Sequence, residues 1–172
     1  MGLGVSNSLS KGGFPQYRTR HSVTLDGSDG QYITAAGHAD FQLNNVNFSV
    51  SGWVKFTADA SSVNNEDGIC IFSAVDAESD VNGFKILYVD ESGDDERIYV
   101  YHYFGSSSVS INRGSEVDWD HGEWYNIVYT YEITDTGETP QIGTGKLYNN
   151  GVLLKTRTDV KTPDNIATSV PV

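Results

Sequence analysis

Cysteine is almost absent from this chain: Cys70 is the single one in 172 residues, so neither an internal disulfide nor a thiolate-based zinc site can be assembled. Its setting, Gly68-Ile-Cys-Ile-Phe72, is an apolar strand-like run, and the expectation is an inert buried thiol. No stretch approaches the roughly 18 apolar residues of a membrane-spanning helix, so no membrane insertion is expected. No early segment has the basic-then-apolar shape of a secretory signal. With Met1 in place, the expectation is a protein made in a cytoplasm. Positive charge is scarce as well: Lys and Arg number 11 against 23 Asp and Glu, a net charge of −12. That balance argues against nucleic acid as a partner, since such binding rests on neutralising phosphates with Lys and Arg. Helix-favouring stretches are nearly missing.

What remains is the composition of many short strands joined by tight turns: 12% aromatic residues and 18 glycines, with Thr, Val and Ser plentiful. The length fits one domain large enough to bury a core without metal or disulfide. Charge is unevenly spread. Lys11, Arg18 and Arg20 stand in the first 25 residues without any acid, +3, which leaves −15 for the rest. Residues 1–20 read as an extended basic arm whose glycines and serines make ordering costly, yet Leu9, Phe14 and Tyr17, with Leu3 and Val5, are apolar anchors that a plain linker would lack. Such a segment suits ordering against a neighbour, and Leu9, Lys11, Phe14, Tyr17, Arg18 and Arg20 are its candidate assembly residues.

From His21 the apolar period becomes two. Val23 and Leu25 alternate with polar neighbours, a turn follows at Gly27-Ser-Asp-Gly30, and Gln31–Thr34 resumes a strand. Phe48, Val50, Val54 and Phe56 share one face of the next strand with Trp53 on the other, and both faces are expected to pack. Further strands are predicted at Ile69–Val75, Phe84–Val89, Arg97–Phe104, Ser108–Asn112, Trp124–Glu132, Gly145–Tyr148 and Val152–Arg157. Asn82-Gly83, Gly93-Asp94 and Asn150-Gly151 are turn pairs that tolerate positive φ, the last giving the strongest hairpin signal. About ten strands separated by polar turns indicate an all-β, two-sheet antiparallel sandwich over residues 21–157, followed by a loop-like tail, 158–172.

The segments also follow a family order. Ser22-Val-Thr-Leu-Asp-Gly27 with Gln31-Tyr-Ile33 resembles the opening of laminin-G-like and pentraxin-like domains. Phe48-Ser-Val-Ser-Gly-Trp-Val-Lys55 resembles their F-T-V-S-F-W-V-K strand, Gly122-Glu-Trp-Tyr-Asn-Ile-Val-Tyr-Thr-Tyr131 their G-x-W-H-H-V-V-x-T-Y, and Gly145-Lys-Leu-Tyr-Asn-Asn-Gly151 their L-Y-V-N-G hairpin. The resemblance implies a concanavalin-type jelly roll and leaves function open, because these residues mostly build core and turns. The tail departs from the family's closing strands, which leaves an edge open to strand addition. The arm, Gly2-Leu-Gly-Val-Ser-Asn-Ser-Leu9, running straight into such a domain, resembles structural proteins of tailed bacteriophages. That resemblance implies a virion protein, a capsid decoration or appendage present in many copies, with the major capsid protein as partner and host glycans as a further one. The alternative is a carbohydrate- or protein-binding adhesion module of a secreted or cell-surface protein.

Candidate sites are few. The fold also hosts glucanases with a Glu-x-Asp-x-Glu strand. Here Glu116-Val-Asp-Trp-Asp120 ends in Asp, too short for the acid, and no catalysis is expected. Calcium needs converging hard oxygens, for which Asp90, Asp94, Asp95 and Glu96 are the leading set, ahead of Asp76, Glu78 and Asp80 and of Asp26 and Asp29. No other cofactor is expected. Sugar binding needs exposed aromatic faces beside polar groups: Tyr99, Tyr101 and Tyr103 share one strand face, either for that purpose or as the half-buried lining of a sheet. His21, His38, His102 and His121 show no metal-ligand spacing.

Overall fold

Strands that alternate large apolar and small polar residues bury one face and wet the other, and here two sets of four such strands do so against each other. The computed structural model describes residues 22–25, 33, 35, 38, 41–57, 68–75, 82–90, 96–105, 107–113 and 119–166. The chain divides into two compact units, residues 1–32 and 33–172. In the first, residues 22–25 are irregular and exposed, so the strand expected there is not formed. The second holds all eight strands found among the described residues: β1 (Phe48–Val54), β2 (Ile69–Val75), β3 (Asn82–Asp90), β4 (Glu96–Phe104), β5 (Ser107–Arg113), β6 (Tyr125–Asp135), β7 (Ile142–Asn149) and β8 (Val152–Lys161). One sheet has the order β1-β6-β7-β8 and the other β2-β3-β4-β5. Every neighbouring pair is antiparallel.

The inner faces meet in a core of rings. Phe48 meets Phe84 edge-on at 5.2 Å, Phe84 stacks with Tyr129 at 5.5 Å, and Phe56 lies flat on Tyr88 at 3.9 Å. Trp119 closes one end against Tyr125 at 5.0 Å. Room for two tyrosines comes from glycine: a Cβ on Gly143 would stand 2.6 Å from Tyr131 Cζ, and one on Gly145 2.5 Å from the Tyr129 hydroxyl. The β7 backbone therefore acts as the floor under both rings. Arg157 ties the two sheets at the β8 and β5 edges, its Nη1 donating to Ser110 O at 2.6 Å.

Four expectations are corrected here. The outer positions of β1 (Ser49, Ser51, Trp53) are exposed, and β1 ends its sheet's order among the described residues, so it packs on one face only. Cys70 is exposed: a register break between Cys70 and Phe72 disturbs the alternation that would have turned it inward. Asn82-Gly83 does not make a turn but opens β3, where a Cβ on Gly83 would collide with Ala74 O. The tail is not a loop from Thr158, since β8 runs to Lys161 and Val160, Thr162 and Ile166 are buried.

Candidate functional site

Strand phase decides which side chains the first sheet presents outward. Tyr125, Ile127, Tyr129 and Tyr131 of β6 point into the core, which leaves Asn126, Val128 and Thr130 outside. Leu147 of β7 is buried, so Lys146 and Tyr148 face out. The register then sets these positions in rows across the sheet. Ser51, Val128, Tyr148 and Leu153 form one row, and Ser49, Thr130, Lys146 and Thr156 the next. Trp53 pairs with Asn126, and Trp124 stands two residues before Asn126, immediately ahead of β6.

This face holds the exposed indoles of the described surface: Trp53 is 51% and Trp124 46% exposed, with Leu153 at 50%. Lys55 Nζ lies 6.0 Å from the Trp124 ring. Polar groups frame the indoles and are held in place. Asn126 N–H donates to Asn150 Oδ1 at 2.9 Å, and its amide Nδ2 reaches Gly52 O at 3.3 Å. The Asn150 N–H returns to Asn126 O at 2.9 Å. The two rows named above contain no carboxylate, and the next outward position of β6, the exposed Glu132, places one beside them. A platform with two half-exposed indoles among amides and hydroxyls suits a ligand with apolar faces and hydroxyl edges.

The expected tyrosine set is brought together on the opposite outer surface. Tyr99 stacks on Tyr101 at 5.5 Å and Tyr101 on Tyr103 at 5.7 Å, with Lys85 Nζ 5.7 Å and 5.2 Å from the Tyr101 and Tyr103 rings. Tyr99 and Tyr103 are nonetheless buried, Tyr99 clustering with Leu87 and Val89. Their ring faces lie against each other and against a cation, which leaves little for a ligand. Of the calcium set, Asp94, Asp95 and the Asp90 side chain lie outside the described residues. Glu96 has a buried Oε1 3.4 Å from His121 Nε2, an ion-pair separation without hydrogen-bond geometry. Among the described residues no three His, Cys, Asp or Glu side chains are grouped to hold a metal. Leu9, Lys11, Phe14, Tyr17, Arg18 and Arg20 lie outside the described residues, as do Asp26, Asp29, Asp76, Glu78, Asp80, Glu116 and Asp118. Trp119 is buried and Asp120 exposed, which turns the end of the carboxylate-rich segment to solvent.

One polar group is wholly inside. His102, in phase with the buried Ile98 and Val100, has no exposure, and its Nδ1 and Nε2 lie 2.8 Å from Lys161 O and from the Tyr129 hydroxyl. Burial lowers its pKa from 6.5 to about 4, so it is neutral at pH 7. It is a structural bridge between sheets, set among rings and away from the outer platform.

No curated protein and no solved structure matches the chain. A laminin-G-type family model described as the concanavalin A-like lectin/glucanases superfamily matches residues 26–172, a span that takes in both sheets and the tail. With its two antiparallel sheets, buried ring core and hairpin at Asn150-Gly151, this chain belongs to the concanavalin A-like lectin/glucanase superfamily.

Proposed function

We propose that this lectin-like domain is a non-catalytic binding module that holds carbohydrate on the outer face of the β1-β6-β7-β8 sheet. The observation carrying the reading is the exposed pair Trp53 and Trp124, fixed on a rigid sheet beside Asn126 and Asn150. Large apolar rings left half in water among amide groups are what stacking on a pyranose requires. Trp119, the third tryptophan, is buried, so fluorescence separates the site from the core. Titration with neutral polysaccharides in the presence of iodide is expected to shield two of three tryptophans from quenching. Unchanged quenching across a panel of neutral and acidic polysaccharides contradicts the reading.

A second reading is favoured by charge: the +3 of the first 25 residues against −15 on the remainder. In it, the module is a capsid decoration or appendage of a bacteriophage, its basic arm clipping to acidic shell surface and its sandwich displayed outward. Many copies on one particle would add weak contacts by avidity, so the two readings are compatible. Light scattering of the chain with and without residues 1–20 tests it. Salt-sensitive self-association lost on truncation supports the arm as an assembly element, and identical monomers contradict it. Calcium held by Asp90, Asp94, Asp95 and Glu96 is a further proposal, tested by a rise in Tm on adding the ion.

A further inference from the structure

The pairing of β7 with β8 is irregular. Leu147 stands opposite Lys155 and Tyr148 opposite Leu153, so Leu154 is one residue too many on β8. A bulge of this kind re-aims the side chains beside it. Leu154 packs on the core. Leu153, opposite the outward Tyr148, stands on the outer face with half its surface in water.

From Leu153 an uncharged strip crosses the sheet. Tyr148 on β7 faces Val128 on β6. Asn126, the next outward position of β6, faces Trp53 on β1, and Trp124 stands two residues before it. Leu153 and Trp53 therefore lie on the outermost strands of the order β1-β6-β7-β8. Three inter-strand spacings separate those strands, about 14 Å, which is longer than one pyranose ring. Trp53, Asn126, Val128, Tyr148 and Leu153 carry no charge. Lys146 belongs to the next row and Glu132 to the one after it, and Lys55 is set against the Trp124 ring. Amides run beside the rings: Asn126 Nδ2 reaches Gly52 O, and Asn150 Oδ1 accepts the Asn126 N–H.

We infer that this strip is a row of several sugar subsites that takes an internal run of a neutral, ribbon-like polysaccharide. Trp53 and Trp124 hold one sugar, and Tyr148 with Leu153 holds another farther along. The inference rests on the carbohydrate reading proposed for the same face. Pyranoses joined through equatorial bonds extend as a ribbon whose broad sides are the apolar ring faces, so successive rings can be laid along a line of Trp, Tyr and Leu. Because the strip reaches both outermost strands, a chain end is not needed for binding. Its own residues offer no charge to pair with a uronate or a sulfate.

Calorimetric titration of the whole chain with neutral β-1,4-linked gluco-, manno- and xylo-oligosaccharides, from disaccharide to hexasaccharide, tests this beside iodide quenching. For the series that shields Trp53 and Trp124, affinity is expected to rise at least about tenfold from disaccharide to hexasaccharide. Borohydride reduction of the terminal sugar is expected to leave hexasaccharide affinity unchanged. Leu153→Ser, at a half-exposed position where folding is not at stake, is expected to remove most of the rise. Equal affinity at every length, loss of binding on reduction, an unchanged rise in the variant, or shielding only by acidic or differently linked chains would each overturn the strip. All four leave carbohydrate binding at the indoles standing. Absence of shielding by any saccharide would overturn both. A dimer in light scattering that Leu153→Ser dissociates would show a second copy on the strip, and would overturn it too.

Discussion

Tyr129 fills three demands with one side chain. Its ring stacks on Phe84, its hydroxyl meets His102 Nε2, and its body occupies the space left by Gly145. Removing the hydroxyl alone, in Tyr129→Phe, leaves a buried acceptor without a donor, and a loss of about 1–3 kcal/mol is expected in denaturant unfolding. Gly145→Ala presses a methyl into Tyr129 and Ile111. Overpacking of this kind costs about 1–3 kcal/mol, so Tm is expected to fall without any change of fold by circular dichroism. At the outer indoles the expectation reverses. Trp53→Ala and Trp124→Ala each leave Tm nearly unchanged, because the rings are half in water.

At the scale of elements, the β7–β8 hairpin shows how turn chemistry becomes site geometry. Asn150 and Gly151 have φ of 49° and 81°, the pair of positive values that matches a two-residue turn to the twist of its strands. Asn150 then receives the Asn126 N–H and so extends the platform past the strand ends. Gly151→Val forces a β-branched residue into left-handed backbone and is expected to cost about 1–2 kcal/mol. It should also weaken carbohydrate binding by loosening Asn150, read as a combined drop in Tm and affinity. This hairpin was legible in the sequence because Asn-Gly between alternating apolar runs has one favourable conformation. Strands β1 to β8 were legible as well, their inward faces marked by period two. The orientation of Trp53 and Trp124 could have been read too: both are out of phase with the inward residues of β1 and β6, and the phase of a strand, not the size of its residue, sets the face. The exposure of Cys70 was not legible, because it follows from a break in pairing that leaves no mark in composition.

For the whole molecule, charge and pH set stability in a definite direction. His102 is neutral in the folded chain down to about pH 4, while an unfolded one takes up its proton near 6.5. Between those values the unfolded chain binds more protons, so the contribution of this residue is complete above pH 6.5 and lost as pH falls toward 4. It amounts to about 3 kcal/mol. Unfolding by denaturant at pH 7 and pH 4.5 is expected to show this loss in the native chain and a smaller one in His102→Asn. The net charge of −12 gives the reading of the outer platform a further test, because a neutral saccharide should bind with little dependence on salt whereas a polyanion would need high salt to approach.

Binding through Trp53 and Trp124 is tested by the affinity of Trp53→Ala/Trp124→Ala for the polysaccharide that shields the native indoles, beside Tyr101→Ala as a control. A loss of roughly 30-fold or more is expected in the double variant, the equivalent of about 2 kcal/mol, with Tm unchanged and the control binding as the native chain does. Native affinity in the double variant, or loss in the control alone, would contradict it.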